Sequence, residues 1–334
     1  MKIRCRILKK GRRMNKLLNL IIVILALALV AVILLPQWQE SRPVKVRFGC
    51  DSTVTATVFF VAQERDFFKD NRIIPEFVFF ADPRQALDAL FQGEIDCGVF
   101  PWHLILKRIA EQQETVKVFI SEDFRSSLPI DAIIMKAQSR ISKLLDLRRK
   151  KIGYPNQVRE IMPVILEGAG FSPKDFNLLE MSNRELIGAV NQGSVDAALV
   201  LEPERYRALQ ANMPILVDAA LAKYIISPYP GAAIGYTRPY LMKNRRTCVR
   251  LKLACDAAIG FFDQKPEEVR KILEKYLGYQ TDELSDCRLP DMQKLVEINK
   301  DMIKTFADRL KTSGVLSTDI DVKSIFVEPV LLKP

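Results

Sequence analysis

The sequence predicts an α/β protein of two lobes, each built on an open parallel sheet, with one membrane-spanning helix ahead of them. Three observations carry this: a basic stretch followed by a long apolar run, two near-identical segments one hundred residues apart, and strand–helix alternation around each segment. With 334 residues, 49% hydrophobic and 27% charged, the chain can hold two lobes with separate cores and has a globular composition.

The net charge of +10 is a topology signal. Lys2, Arg4, Arg6, Lys9, Lys10, Arg12, Arg13 and Lys16, with no acid among residues 1–16, account for eight of the ten charges and leave two for the rest. A basic surface for nucleic acid is therefore not expected on the folded part. Leu17 to Leu35 follows, with Asn19 as its one polar member. At ~1.5 Å per residue this run spans roughly 28 Å, close to the ~30 Å hydrocarbon core of a bilayer. Cations before it and few after it place residues 1–16 in the cytoplasm and the bulk of the chain outside. A cleaved signal peptide has the same polarity, but its apolar region is about 7–15 residues and ends at a small-x-small site. Here the run passes Ala26 and Ala28 and continues to Leu35. A retained anchor over 17–35, in the cell membrane as a single pass, is the expectation.

The repeat lies beyond the anchor. Gln92-Gly93-Glu94-Ile95-Asp96 returns as Gln192-Gly193-Ser194-Val195-Asp196, with Arg84 matching Arg184 and Ala89 matching Ala189. The first copy reads as strand Glu76–Ala81, helix Pro83–Gln92, a glycine cap and strand Asp96–Phe100. The second reads as strand Asn177–Met181, helix Asn183–Gln192, a glycine cap and strand Asp196–Leu201. A further strand–helix unit precedes each: Val44–Cys50 with Thr57–Lys69, and Lys151–Tyr154 with Arg159–Ala169. The pattern βαβαβ occurs twice, as in two open parallel sheets. Asp131–Lys136 reads as a strand and Ser142–Arg148 as a short helix; Ile215–Asp218 and Ala232–Tyr236 read as strands, the latter returning to the first lobe. Cys248–Phe262, Pro266–Leu277 and a long segment Pro290–Lys311, with Leu295, Val296, Met302, Ile303, Phe306 and Leu310 on one face, read as helices. The expected division is residues 44–130 with 232–334 in lobe 1 and residues 131–231 in lobe 2.

Six cysteines are present. Cys5 falls on the cytoplasmic side, so five are left outside, and their spacing makes no metal motif. Cys50 and Cys97 fall in strands, where a buried free thiol is the plain reading; a Cys255–Cys287 disulfide is possible.

In open sheets ligands lie beyond the carboxyl ends of the strands. That rule selects Asp51–Thr55, Ala81–Arg84, Pro101–His103, Tyr154–Arg159 and Glu202–Tyr206. Ser52, Thr53 and Thr55 offer hydroxyls to a ligand or cap the next helix. Phe100 and Trp102 stack on a flat ligand or belong to the core. Asn156, Gln157 and Arg159 open a helix, and Arg159 forks onto an anion or lies on a solvated face. Glu202 accepts from a donor group or caps the next helix. His103 is the one histidine, and no HExxH, GxSxG, paired CxxC, P-loop or GxGxxG sequence occurs.

Thr55–Asp70 (TATVFFVAQERDFFKD), Lys150–Val158 (KKIGYPNQV), Glu167–Pro173 (EGAGFSP) and Ser194–Tyr206 (SVDAALVLEPERY) together resemble solute-binding proteins of the nitrate/sulfonate/taurine type. That group includes the thiamine-pyrimidine-precursor binders and synthases, whose second strand is often followed by an Asp-Pro like Asp82-Pro83. The likeness covers roughly residues 44–280. It implies a type II periplasmic-binding-protein fold, two lobes joined by two crossings, and delivery of a small-molecule ligand to an ABC permease with a separate ATPase. Carried over by position, the ligand contacts are Ser52, Thr53, Asp82, Pro101, Trp102, Ser126, Asn156, Gln157, Val158 and Glu202. No cofactor is implied. The family often has a small Gly/Ser pair where this chain has Asn156-Gln157, and Glu202 suits a ligand with a donor group. An enzyme on the same fold, pyrimidine synthase-like and using His103, and a ligand-sensing module without a transporter are the other readings.

Overall fold

The computed structural model describes residues 42–112 and 115–332, together with Ile22, Ile24 and Leu25, which are helical and exposed. Most of the expected span Leu17–Leu35 lies outside the described residues. Among those described, no helix is long and apolar enough to cross a membrane.

Two sheets organise the described residues from Val44 onward. The first contains β1 (Val44–Cys50), β2 (Ile73–Phe79), β3 (Cys97–Pro101), β4 (Val116–Phe124), β10 (Tyr229–Thr237) and β11 (Asp291–Lys294), in the order β11-β4-β10-β3-β1-β2. The second contains β5 (Asp131–Met135), β6 (Lys151–Pro155), β7 (Asn177–Met181), β8 (Ala197–Leu201) and β9 (Ile215–Asp218), in the order β7-β6-β8-β5-β9. The chain crosses from the first sheet to the second between Phe124 and Asp131 and returns between Tyr224 and Tyr229.

Neither sheet is purely parallel, which corrects the expectation. β1 and β3 are parallel, as are β6 with β7 and with β8. The crossings reverse the chain, so β10 runs antiparallel to β3 and β4, and β5 antiparallel to β8 and β9.

The repeat has a structural cause. Gly93 and Gly193 end their helices with φ of 74° and 75°, a left-handed geometry that glycine adopts without a Cβ clash. Three residues on, Asp96 Oδ2 accepts the backbone N–H of Arg47 at 2.9 Å, and Asp196 Oδ2 accepts that of Lys151 at 2.8 Å. Each aspartate ties the start of its strand to the neighbouring strand, which fixes helix, turn and sheet together in both lobes.

The first lobe's core includes an aromatic cluster in which Phe48 meets Phe59 at 4.7 Å and Phe60 stacks on Tyr276 at 4.5 Å. Helix Arg245–Gln264 packs on Thr57–Glu64 over this sheet. In the second lobe Ala132, Ile134, Leu186, Val190, Ala198 and Val200 form the core.

Two further expectations are corrected, and one open possibility is closed. Pro290–Lys311 is not one helix: Asp291–Lys294 pairs antiparallel with β4, and the helix begins at Lys300 after Asn299 caps the N–H of Met302 at 3.0 Å. Met302, Ile303, Phe306 and Leu310 do form the buried face of the helix Lys300–Thr312, but Leu295 and Val296 precede that helix, and Val296 is 80% exposed. Thr57–Lys69 is two helices, Thr57–Glu64 and Phe67–Asp70, parted at Asp66 with φ of 59°. Cys255 and Cys287 are not joined; like Cys50, Cys97 and Cys248, each is a buried free thiol.

Candidate functional site

Strand ends of both sheets line one cavity with about 50 Å³ of room for the centres of water molecules, enough for several waters or a small ligand. Its wall draws on four of the five stretches at the strand ends: Asp51–Thr55, Pro101–His103, Gln157–Val158 and Leu201–Glu202. The rest comes from Phe124 and Ile130 at the first crossing, from Leu221, and from Tyr229, Gly231 and Ala232 at the start of β10.

On the first lobe's side Asp51 is buried and its carboxylate is held by the loop that follows it. Thr53 donates its backbone N–H to Oδ1 at 3.1 Å and its hydroxyl to both oxygens at 2.9 and 3.0 Å, while the Thr55 hydroxyl reaches Oδ1 at 3.0 Å. Burial raises the Asp51 pKa, and these four hydrogen bonds oppose the rise. Behind the cavity wall lies Glu122, fully buried, with neither carboxyl oxygen hydrogen-bonded within the described residues. Burial, then repulsion from Asp51 and Asp123, pushes this group well above the usual carboxylate range.

Glu202 faces the cavity from the second lobe and is 1% exposed. Its strand is set by Asn183, whose side chain makes a pair of hydrogen bonds with the backbone of Leu201 at 2.9 and 3.0 Å. Burial lifts Glu202 to about 7, against the Tyr206 backbone N–H at 3.0 Å, Arg205 at 3.3 Å and the Cys287 thiol at 3.5 Å. Arg205 is itself clamped by both oxygens of Asp218 at 2.9 Å, so it reaches Glu202 with one nitrogen. The cavity wall is mainly apolar, with Val54, Pro101, Phe124, Ile130, Val158 and Leu201 among its residues, and carboxyl groups, hydroxyls, an amide and one imidazole are set into it. Among the described residues no lysine or arginine lines it.

Beside the cavity the two lobes touch through polar groups. Arg84 of the first lobe pairs with Asp82 and reaches Glu160 at 3.4 Å and Glu180 at 3.2 Å in the second. His103 Nε2 stands 3.6 Å from Glu160 Oε2. Burial alone would raise Glu160, but the His103 imidazole and the Arg84 charge prevail and hold it at about 2. On another rim Tyr279 donates to Glu204 at 2.7 Å and Arg207 to Glu283 at 3.0 Å.

Residues 54–269, more than half of the chain, match the family described as NMT1/THI5 like. The chain belongs to the NMT1/THI5-like family. A Haemophilus influenzae protein provisionally named for thiamine biosynthesis is 28% identical over 232 residues, 67% of this chain and 69% of that protein. Among solved structures, the periplasmic aliphatic sulphonate-binding protein of Escherichia coli superposes with a TM-score of 0.67 at 18% identity, covering 87% of this chain and all of that one. The alkanesulfonate-binding protein of Xanthomonas axonopodis pv. citri gives 0.68 at 18%, covering 86% and 99%. The periplasmic nitrate-binding protein of Synechocystis PCC 6803 gives 0.68 at 15%, covering 85% of each chain. These likenesses establish the periplasmic-binding-protein fold for this NMT1/THI5-like chain.

The positions named from the sequence are distributed as follows in this family member. Thr53, Thr55, Pro101, Gln157, Val158 and Glu202 line the cavity. Ser52 is exposed beside it and Ser126 is exposed in the turn of the first crossing. Asp82 caps the helix after β2 and grips Arg84. Phe100 and Trp102 lie in the core of the first lobe with no exposure, Trp102 donating Nε1–H to Ser121 at 2.9 Å. Asn156 donates to the carbonyl of Ala81 across the lobes, and Arg159 pairs with Glu180. Phe124, Tyr229 and Gly231 line the cavity from outside the selected stretches, and Asp51 lines it from within one but was given no role. For Asp51 a signal existed, since an acid directly at the end of a buried strand and two residues before a threonine invites a local hydrogen-bonded turn. The crossing residues carry no such mark.

Proposed function

We propose that this chain is an extracytoplasmic solute-binding receptor that encloses a small molecule between its lobes and hands it to an ABC importer. The observation that carries the reading is the cavity lined by residues of both lobes, in a fold shared with sulphonate- and nitrate-binding proteins. A tether over Leu17–Leu35 would keep the receptor near its permease and raise its effective concentration there.

The lining favours a ligand unlike those two anions. Asp51 and Glu202 are acceptors when ionised, the Gln157 carbonyl oxygen has no partner within the described residues, and no cation lines the wall. A bare anion would meet acidic groups there at a heavy desolvation cost. A compact, flat molecule bearing N–H donors, of the aminopyrimidine class, suits the wall, and the thiamine-related name of the Haemophilus influenzae relative agrees with it.

A thermal-shift screen of the full chain tests this. 4-Aminopyrimidines are expected to raise the melting temperature, while nitrate, taurine and alkanesulfonates leave it unchanged. Stabilisation by the anions alone would overturn the ligand class, and conversion of a probe to a product would move the reading to a pyrimidine synthase-like enzyme.

A further inference from the structure

His103 both lines the cavity and meets a charged group of the opposite lobe. It is 1% exposed, sits at the first turn of the helix Trp102–Gln112 in the first lobe, and stands 3.6 Å from Glu160 of the second. Neither ring nitrogen makes a hydrogen bond within the described residues.

We propose that His103 is a ligand-contacting residue that senses occupancy of the cavity, and that its pairing with Glu160 couples that occupancy to closure of the lobes. The two groups belong to different lobes, so the 3.6 Å approach exists only when the lobes are together. Glu160 orients the imidazole and directs one ring nitrogen across the interface, which leaves Nδ1 for a ligand in the cavity. A ligand bonded to Nδ1 strengthens the Nε2 side, because the two nitrogens of an imidazole share one electronic system. The ligand thereby binds the closed state more tightly than the open one, which is what a population shift requires.

The other charged groups at this spot are arranged to support the pair. Arg84 lies between Asp82 of its own lobe and Glu160 and Glu180 of the other, and Arg159 pairs with Glu180. Glu160 therefore receives two first-lobe groups, Arg84 and His103, whereas Glu180 receives Arg84 but not His103. That asymmetry separates the sensor from the general ionic contact.

The test follows lobe separation directly and rests on the receptor reading only in its ligand arm. Spin labels on Glu94→Cys and Ser194→Cys, both exposed at the far ends of the two lobes, report the distance in the full chain with Cys5 replaced by serine. In the protein without ligand, His103→Gln and Glu160→Gln are each expected to raise the open-to-closed ratio about fivefold, the effect of losing one partly buried pair. The double variant should open no further than Glu160→Gln alone. With 4-aminopyrimidine as probe, the parent protein should shift to the short distance, while His103→Gln should bind more weakly and shift less. Should His103→Gln leave the distance distribution unchanged while Glu180→Gln opens it, the Arg84 contacts and not the His103–Glu160 pair govern closure, and the proposal falls. Should the probe bind no variant, the aminopyrimidine class fails, while the ligand-free arms still decide the His103–Glu160 coupling. Far-ultraviolet circular dichroism of each variant guards against loss of the fold.

Discussion

Asn156 of the second lobe donates its side-chain N–H to the backbone carbonyl of Ala81 in the first, at 2.7 Å. The bond joins the end of β6 to the loop after β2, so Asn156 acts on closure. Replacing it with alanine is expected to weaken ligand binding two- to tenfold, the equivalent of about 0.5–1.5 kcal/mol for one hydrogen bond. Calorimetric titration should find that loss with little change in the melting temperature of the ligand-free protein. A loss of a hundredfold or more would instead make Asn156 a direct contact.

Glu202 confers a pH dependence with a defined sign. Burial holds its pKa at about 7, so the folded protein keeps a proton that the unfolded chain releases near pH ~4.3. The stability from that proton is full below about 4.3 and is lost as pH rises toward 7. Ligand binding moves the other way, since only the ionised group accepts two donors. Affinity for an aminopyrimidine should therefore rise between about pH 6 and 8, and Glu202→Gln should remove that rise while melting higher than the parent above pH 7. An unchanged pH profile in the glutamine variant would exclude Glu202 from recognition.

Trp102 makes a contrasting case. It has no exposure, and its indole N–H is satisfied by Ser121. Trp102→Phe is expected to destabilise the fold by roughly 1–3 kcal/mol, through a small cavity and an unpaired Ser121 hydroxyl, as read by chemical denaturation. Ligand affinity measured where the variant is folded should stay within about twofold of the parent; a larger drop would put the ring in contact with the ligand.

Gly231 lies in β10, just after the returning crossing, and lines the cavity. A Cβ there would fall 1.9 Å from the Phe124 ring, so Gly231→Ala must displace that side chain. Both residues line the wall, and the substitution should cut ligand affinity by tenfold or more through the changed cavity shape. Gly231→Ala with Phe124→Leu should recover part of it, and no recovery would refute the steric account.

Much of this architecture was legible locally. The paired motifs around Gly93 and Gly193 read correctly because helix end, left-handed glycine and strand-fixing aspartate lie within a few residues of one another, where chain chemistry alone sets geometry. The error over Pro290–Lys311 has the opposite origin. Asp291–Lys294 is a strand because an open edge of β4 stands beside it, and pairing with that edge overrides a helical apolar pattern. Trp102 and Phe100 sit at a strand end as the ligand rule asks, yet their direction depends on packing against segments such as Phe326, far along the chain.

By itself the sequence determined the two βαβαβ halves and the loops at the strand ends, since periodicity, caps and turns act over about ten residues. The tertiary structure decided which of those loops enclose the cavity and which meet at its rim. It brought Asp51, His103 and Glu202 around one cavity, sent Asn156 and Arg84 to the contact between lobes, and completed the wall with Gly231 and Phe124. The physical reason is register: β4 and β10 are neighbours separated by more than one hundred residues, and only their pairing fixes what faces the ligand.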